Sequence, residues 1–98
     1  MNVSVRLFGL LGMQLEVPPG EQIAFTLPEG ATVQTLLEAI GHRFGEQFPP
    51  NVWFKETNRF GPGVQLLLNG RRVTDALETP LADGDELSAV LPIAGGIR

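Results

Sequence analysis

The sequence predicts an α+β domain in which one main helix packs across a mixed sheet of four to five strands. Three observations support this fold class. Apolar and polar residues alternate with a period of two near the N-terminus, apolar residues recur with helical spacing over 33–44, and apolar runs with strand character return after residue 63. The length of 98 residues suits one domain with one hydrophobic core.

Two half-buried strands are predicted at the N-terminus. Residues 2–7 alternate polar and apolar side chains, and residues 22–27 repeat this pattern before Pro28 ends it. The connection 9–21 is rich in glycine and proline, and we expect some of its leucines to be buried. The two strands therefore form a hairpin whose connection is longer than a usual hairpin turn.

The main helix is predicted to begin after Thr32, because a threonine hydroxyl is a suitable N-cap. Its apolar residues share one face: Val33, Leu36, Leu37, Ile40 and Phe44. Gly45 is expected to end the helix as its C′ residue. Gly41 lies inside the helix and costs about 1 kcal/mol relative to alanine, so we expect the last turn to fray.

Residues 46–63 combine turn-forming glycine and proline with the segment Val52–Lys55, which contains the aromatic residues Trp53 and Phe54. Aromatic residues flanked by proline favour a short extended segment that covers an edge of the core. The alternative is an exposed recognition patch.

The last part of the chain predicts three further strands. Val64–Leu68 is an almost continuous apolar run and is expected to be central, with both faces at least partly covered. Asn69-Gly70 is a strong hairpin signal, after which the chain returns as a short strand over 71–73. A polar connection and a tight turn then lead to a final strand from Leu87. If this strand is central, it pairs in parallel with the first strand, which is the β-grasp or ubiquitin-like arrangement.

The composition argues against several classes of function. The net charge of −4 does not suit a nucleic-acid binder, and the chain has no cysteine for a disulfide, a thiolate nucleophile or a metal site. His42 is the only histidine and is expected to be exposed, while Asp83, Asp85 and Glu86 indicate a turn rather than a cation site. There is neither a signal-peptide pattern nor an apolar run long enough to cross a membrane, so we expect a cytoplasmic protein. Because the chain has no cysteine and one histidine, we also expect no bound metal.

The final strand runs into two consecutive glycines, Gly95 and Gly96. Glycine has no Cβ, so this segment can pass through a channel in which any side chain would clash. Five extended residues, Pro92 to Gly96, reach about 17 Å at roughly 3.3–3.6 Å each. We therefore divide the chain into a β-grasp domain, 1–93, and a flexible diglycine tail, 94–98. Such a tail can deliver a carboxylate to a partner enzyme.

Four segments of the chain resemble the MoaD/ThiS family of ubiquitin-like sulfur carrier proteins. They are Thr32–Leu37, Leu68–Arg71, Pro80–Leu87 and Pro92–Gly96. The most specific feature is the Asp-Gly-Asp-Glu turn followed by the diglycine. The length is closer to the MoaD branch, which includes the small subunit of molybdopterin synthase.

The resemblance implies a carrier protein rather than an enzyme. In this family a ubiquitin-activating-type adenylyltransferase uses ATP to adenylate the C-terminal glycine, which is then converted to a thiocarboxylate that donates its sulfur. Carried over to this chain, Gly96 is the reactive residue and Gly95 is the slim residue behind it. The partner would bind the lead-in residues, Leu91, Pro92, Ile93 and Ala94, and the neighbouring Val90.

The implied pathway is molybdopterin or tungstopterin cofactor biosynthesis, in which the chain would join the large subunit of a synthase complex. The carrier itself is expected to bind no cofactor. Similar tails also supply sulfur to cysteine, thiamine and tRNA thiolation, so the acceptor stays open.

Ile97 and Arg98 follow the diglycine. While they are attached, the reactive group is a peptide carbonyl rather than a carboxylate, and the tail overruns the activation site by about 7 Å. Some members of the family are made as precursors that a metalloprotease trims after the diglycine. Our hypothesis is that this chain is cleaved after Gly96.

Two other functions are alternatives: a protein modifier conjugated through Gly96, and a β-grasp interaction domain that does not use its terminus. Lys55 is the only lysine, which disfavours a modifier that is joined into chains. The outer face of the sheet, with Val90 and Leu67, is a candidate partner surface. The alternative is that these residues pack beneath a loop.

Overall fold

The chain folds into a mixed sheet that is covered on one face by a single long helix. The computed structural model describes residues 1–15 and 20–91. The elements are β1 (Asn2–Gly9), α1 (Leu10–Gln14), β2 (Ile23–Thr26), α2 (Val33–Phe44), a 3-10 turn (Gly45–Gln47), β3 (Trp53–Phe54), β4 (Arg59–Phe60), β5 (Gln65–Leu68), β6 (Arg71–Arg72) and β7 (Glu86–Leu91). None of the helices in the described ranges is long and apolar enough to cross a membrane.

The five-stranded sheet has the order β2-β1-β7-β5-β6, while β3 and β4 form a separate two-stranded hairpin. The last strand, β7, is central. It pairs in parallel with β1, with Leu7 opposite Ala89, and antiparallel with β5, with Leu66 opposite Ala89. This arrangement confirms the β-grasp topology that the sequence predicts.

One hydrophobic core fills the space between the sheet and α2. The alternating residues of β1, Val3, Val5 and Leu7, are buried, and so are Leu87 and Ala89 of β7. The apolar face of α2 covers them with Val33, Leu36, Leu37 and Ile40. Among the described residues, no polar or charged residue is buried. The predicted periodicities of strand and helix are therefore both confirmed.

The two ends of α2 differ in how well they were predicted. Thr32 caps the N-terminus, since its Oγ1 accepts from Thr35 N at 3.3 Å and its own N–H donates to Thr35 Oγ1 at 3.0 Å. The prediction that Gly45 is a C′ residue is wrong. Gly45 has φ −56° and continues directly into the 3-10 turn, and an added Cβ would lie 3.1 Å from Trp53 Nε1. The reason for glycine here is the close approach of Trp53.

The aromatic segment covers an edge of the core, as predicted. Trp53 is 2% exposed and Phe48 5% exposed. Trp53 pairs with Phe60 across the β3–β4 hairpin, and their ring centroids lie 4.8 Å apart in an edge-on arrangement. Phe54 points outward and is 41% exposed. The segment therefore closes the core beside the C-terminal half of α2.

The connection between β1 and β2 contains the short helix α1, which the sequence analysis did not predict. The expected burial of leucines in this connection is confirmed by Leu11 and Leu15. The Asn69-Gly70 turn is also confirmed, with φ values of 51° and 87°. The division of the chain at residue 93 stays a prediction, because residues 92–98 lie outside the described ranges.

Candidate functional site

The candidate site lies where the central strand β7 ends. Val90 and Leu91 are the last two residues of this strand and are the two predicted partner-binding residues that the structure places. The other predicted site residues lie outside the described ranges: Pro92, Ile93, Ala94, Gly95 and Gly96. Their roles stay predictions. The described residues do establish the point from which the tail leaves the sheet.

Leu91 is half-buried, and its side chain packs against the core. It lies opposite Gly9, the last residue of β1, in the parallel pair. An added Cβ on Gly9 would lie 2.1 Å from the carbonyl oxygen of Leu91, while one on Gly63 would lie 3.8 Å from Leu91 Cδ1. The base of the tail is therefore flanked by two glycines.

Val90 lies on the outer face of the sheet, opposite the core. Its neighbours in register are Phe8 on β1 and Gln65 on β5. Leu67 lies further along β5, paired with Ser88. Phe8, Leu67 and Val90 are half-buried and form what we call the outer apolar patch. Phe8 also lies beside Gly20 of the β1–β2 connection, since a Cβ added to Gly20 would lie 3.1 Å from Phe8 Cε1. This connection therefore borders the patch at Phe8, and the role of Val90 and Leu67 as a partner surface stays a prediction.

An ion pair lies on the same face of the sheet. Arg6 Nε donates to Glu86 Oε2 at 2.7 Å, and Gln22 Nε2 donates to the same oxygen at 2.9 Å. The hydrogen bond from Arg6, followed by that from Gln22, holds the pKa of the Glu86 carboxyl below its ordinary value. The charge of Arg6 is therefore compensated within the domain.

Arg72 is exposed and lies opposite Leu67 in the β5–β6 pair. It makes no ion pair within the described ranges. A partner that covers the outer apolar patch therefore meets a positive charge beside apolar groups.

The acidic turn before β7 has a structural role. Asp83 Oδ1 accepts from the backbone N–H of Asn2 at 2.6 Å. Asp85 accepts from the backbone N–H of Ala82 at 2.8 Å and from Asn69 Nδ2 at 2.9 Å. The turn thus joins the start of β1 to the Asn69-Gly70 turn, and it aligns the two strands that flank the start of β7.

His42 is exposed on α2, as predicted. The described residues contain no group of three or more His, Cys, Asp or Glu side chains that is arranged to hold a metal ion.

Sequence reasoning missed Phe8 and Gly9 as parts of the site. The alternation in β1 would have indicated Phe8, because it lies two residues after Arg6 on the outer face. For Gly9 the sequence carries no comparable signal. Its role depends on a register in which it faces Leu91, a residue that is remote in the sequence.

The fold and the site together define a ubiquitin-like β-grasp protein whose C-terminal tail leaves from the central strand. A family model described as the ThiS family matches residues 7–96. Because this match spans most of the sequence, the chain belongs to the ThiS family. The family match confirms the resemblance to the MoaD/ThiS carriers. No curated protein sequence has a significant match to the chain.

Several solved structures share the fold. SAMP1 from Haloferax volcanii is 23% identical with a TM-score of 0.79, and the match covers 98% of this chain and 100% of that one. A Pyrococcus furiosus protein described as molybdopterin converting factor subunit 1 is 26% identical with a TM-score of 0.64, and the match covers 95% of this chain and 99% of that one. Urm1 from Trypanosoma brucei is 18% identical with a TM-score of 0.72, and the match covers 97% of this chain and 95% of that one.

Proposed function

We propose that this chain is a ubiquitin-like sulfur carrier whose Gly96, after removal of Ile97 and Arg98, is adenylated and converted to a thiocarboxylate. The family match supports this proposal most directly, because it runs from β1 to Gly96 and stops at the second glycine. The 26% identity to a protein described as a molybdopterin converting factor subunit supports molybdopterin- or tungstopterin-type cofactor biosynthesis as the destination of the sulfur.

The proposed chemistry follows from the poor reactivity of a carboxylate. The Gly96 carboxylate attacks the α-phosphorus of ATP, pyrophosphate leaves, and the product is a mixed anhydride with AMP. A sulfide nucleophile then attacks the acyl carbon and expels AMP, which leaves a thiocarboxylate. The partners supply ATP and sulfur, so the carrier itself needs to offer only a carboxylate on an accessible tail.

The described residues contribute a fixed base for this tail. Because β7 is hydrogen-bonded on both sides, to β1 and β5, its end cannot move independently of the sheet. The outer apolar patch lies next to that end and offers Phe8, Leu67 and Val90 for docking. In our proposal a ubiquitin-activating-type adenylyltransferase binds this patch and receives the tail.

A large synthase subunit would use the same patch at a later step, because the same tail has to enter its active site. The two partners are then expected to exclude each other. Cleavage after Gly96, which we assign to a metalloprotease, precedes both steps because it creates the carboxylate.

The second candidate function is a protein modifier conjugated through Gly96. SAMP1 and Urm1 have the same fold, so the fold does not separate a modifier from a carrier. Lys55 is the only lysine, and its Nζ lies 2.9 Å from Glu46 Oε1. A modifier that is joined into chains needs acceptor lysines on its own surface, and this chain offers one. This observation supports a carrier over a modifier that is joined into chains.

The proposal is tested by co-purifying the activating partner with the chain and measuring ATP-dependent adenylation. The 1–96 form is expected to be adenylated, whereas the 1–98 form is adenylated only after trimming. A gain of one sulfur in exchange for one oxygen indicates a carrier, and conjugates of higher mass on a denaturing gel indicate a modifier. The proposal is wrong if neither form is adenylated.

A further inference from the structure

Gly9 is in unusually close contact with another part of the backbone. It has φ 68°, and an added Cβ would lie 2.1 Å from the carbonyl oxygen of Leu91 and 2.9 Å from its carbonyl carbon. The other glycines with positive φ lack such a contact with the backbone: a Cβ added to Gly20 or Gly63 would meet only a side chain, at 3.1 and 3.8 Å, and one added to Gly30, Gly70 or Gly84 would meet nothing within 4 Å. At position 9, therefore, both the conformation and the neighbouring strand require glycine.

This contact lies where two strands end together. Gly9 is the last residue of β1 and also the N-cap of α1, so the chain turns away from the sheet at this residue. Leu91, opposite it, is the last residue of β7. Beyond this pair β1 offers no further partner for the chain that follows Leu91.

The carbonyl that touches Gly9 belongs to the peptide group between Leu91 and Pro92. A peptide group is planar, so the orientation of this carbonyl fixes the direction of the first bond of the tail. Proline at position 92 restricts Leu91 further, because it disfavours helical backbone in the preceding residue. The direction of the bond that leads from Leu91 into the tail is thus determined at the contact between Leu91 and Gly9.

We infer that Gly9 is a positioning residue for the C-terminal tail: by lacking a Cβ it lets the Leu91 carbonyl lie against its Cα, and this sets the direction of the bond from Leu91 to Pro92 with which the tail begins. The functional meaning of this inference rests on the proposed function, in which Gly96 has to reach an adenylation site. The structural part of the inference, the effect of Gly9 on the end of β7, does not rest on the proposed function and is testable without any partner.

The first test follows the tail in the free protein. The chain has no cysteine, so Arg98→Cys provides one site for a nitroxide spin label. Paramagnetic broadening of backbone amides then maps the surface that the tail visits. Gly9→Ala is expected to change this map, and Gly30→Ala, which adds a methyl at a similar positive φ in open space, is expected to leave it unchanged. An identical map in the Gly9→Ala and unsubstituted backgrounds would overturn the inference.

The second test uses the co-purified adenylyltransferase and the 1–96 form. Misplacing a reacting group by about 1 Å can cost up to about 100-fold in rate, so Gly9→Ala is expected to lower kcat by about 10- to 100-fold. The KM is expected to change less than about twofold, because the docking patch is intact; Gly30→Ala changes neither constant. If Gly9→Ala does not fold, Pro92→Ala replaces it in both tests, since it lifts the restriction that proline places on Leu91 and adds no atom beside Gly9; it is expected to change the spin-label map and to lower kcat.

The two proposals fail in different ways. If the unsubstituted 1–96 form is not adenylated, the proposed function is wrong, and the spin-label map still decides the role of Gly9. If that form is adenylated and Gly9→Ala keeps its kcat, the positioning role of Gly9 is wrong.

Discussion

The indole ring of Trp53 lies directly against Gly41 of α2, so that an added Cβ at position 41 would lie 2.7 Å from Trp53 Cζ2. The same Cβ would lie 2.3 Å from Asn58 Oδ1. Gly45, four residues further on, faces the pyrrole part of the same indole, where an added Cβ would lie 3.1 Å from Trp53 Nε1. The two glycines, one in α2 and one at the start of the 3-10 turn that follows it, therefore leave room for Trp53 of the β3–β4 hairpin.

We predict that Gly41→Ala destabilises the protein, although alanine is the better helix former. Alanine gains about 1 kcal/mol in helix propensity, but overpacking against Trp53 costs about 1–3 kcal/mol, so the net loss is expected to reach up to about 2 kcal/mol. Urea unfolding measures this change in the free energy of unfolding. Glu38→Ala, at an exposed position of the same helix, is the control and should change the free energy of unfolding only slightly. A more stable Gly41→Ala variant would show that the contact with Trp53 is unimportant.

The helix glycines also show which parts of the fold were predictable from sequence. The strands, the main helix and the Thr32 cap follow from periodicity and from local hydrogen bonding, which short segments of sequence encode. The conformation of Gly45 was predicted wrongly because its cause, the packing of Trp53, comes from another part of the chain. The helix α1 was missed because it is short and contains Gly12, and because the burial of Leu11 in the core stabilises it from outside the segment.

The candidate site, like the fold, was predictable from sequence only in part. Val90 was predicted from the alternation in the last strand, which separates its two faces, and Leu91 from the resemblance to the family. The partner-binding roles of both residues stay predictions. Gly9 was missed, since its contact with Leu91 exists only once the first and last strands are paired. A glycine at the end of a strand looks in sequence like an ordinary turn residue.

The Arg6–Glu86 pair predicts a pH dependence of stability. Arg6 lowers the pKa of Glu86 below its ordinary value of 4.5. The ionised carboxylate therefore stabilises the fold above about pH 4.5, and this contribution is lost as the pH falls through the folded-state pKa. The pair is partly exposed, so its contribution is expected to stay below about 1 kcal/mol.

This prediction is checked by measuring the free energy of unfolding against pH for the unsubstituted protein and for Glu86→Gln. The difference between them should be constant near neutral pH and should shrink in acid. Glu38→Gln, at a carboxylate without an ion pair among the described residues, is the control. A difference that does not depend on pH would mean that Arg6 does not stabilise ionised Glu86.

The outer apolar patch predicts a binding defect without a folding defect. Leu67→Gln removes an apolar side chain from a half-buried position on the outer face, so the melting temperature should change little. The KM of the adenylyltransferase for the 1–96 form should rise about tenfold, which corresponds to about 1.4 kcal/mol of lost binding energy. Ala24→Gln, on the same face but on the edge strand β2, is the control. If both variants keep the unsubstituted KM, the partner docks elsewhere.

Removal of residues 95–98 separates the proposed functions from an interaction domain that does not use its terminus. The truncated chain keeps all the described residues and should fold and bind its docking partner. It should nevertheless be inactive as a carrier, because the reactive glycine is absent, and complementation of a deletion strain measures this. Full complementation by the truncated chain would support the interaction domain.

The central claim is that Gly96 becomes a thiocarboxylate after the chain is trimmed, and the intact mass of the protein tests it most directly. The 1–98 chain is incubated in its native lysate with ATP and a sulfur source, then purified and weighed. We predict loss of the Ile-Arg increment followed by exchange of one oxygen for sulfur at Gly96. A mass that retains Ile97 and Arg98 throughout, with no sulfur gained, would contradict the claim.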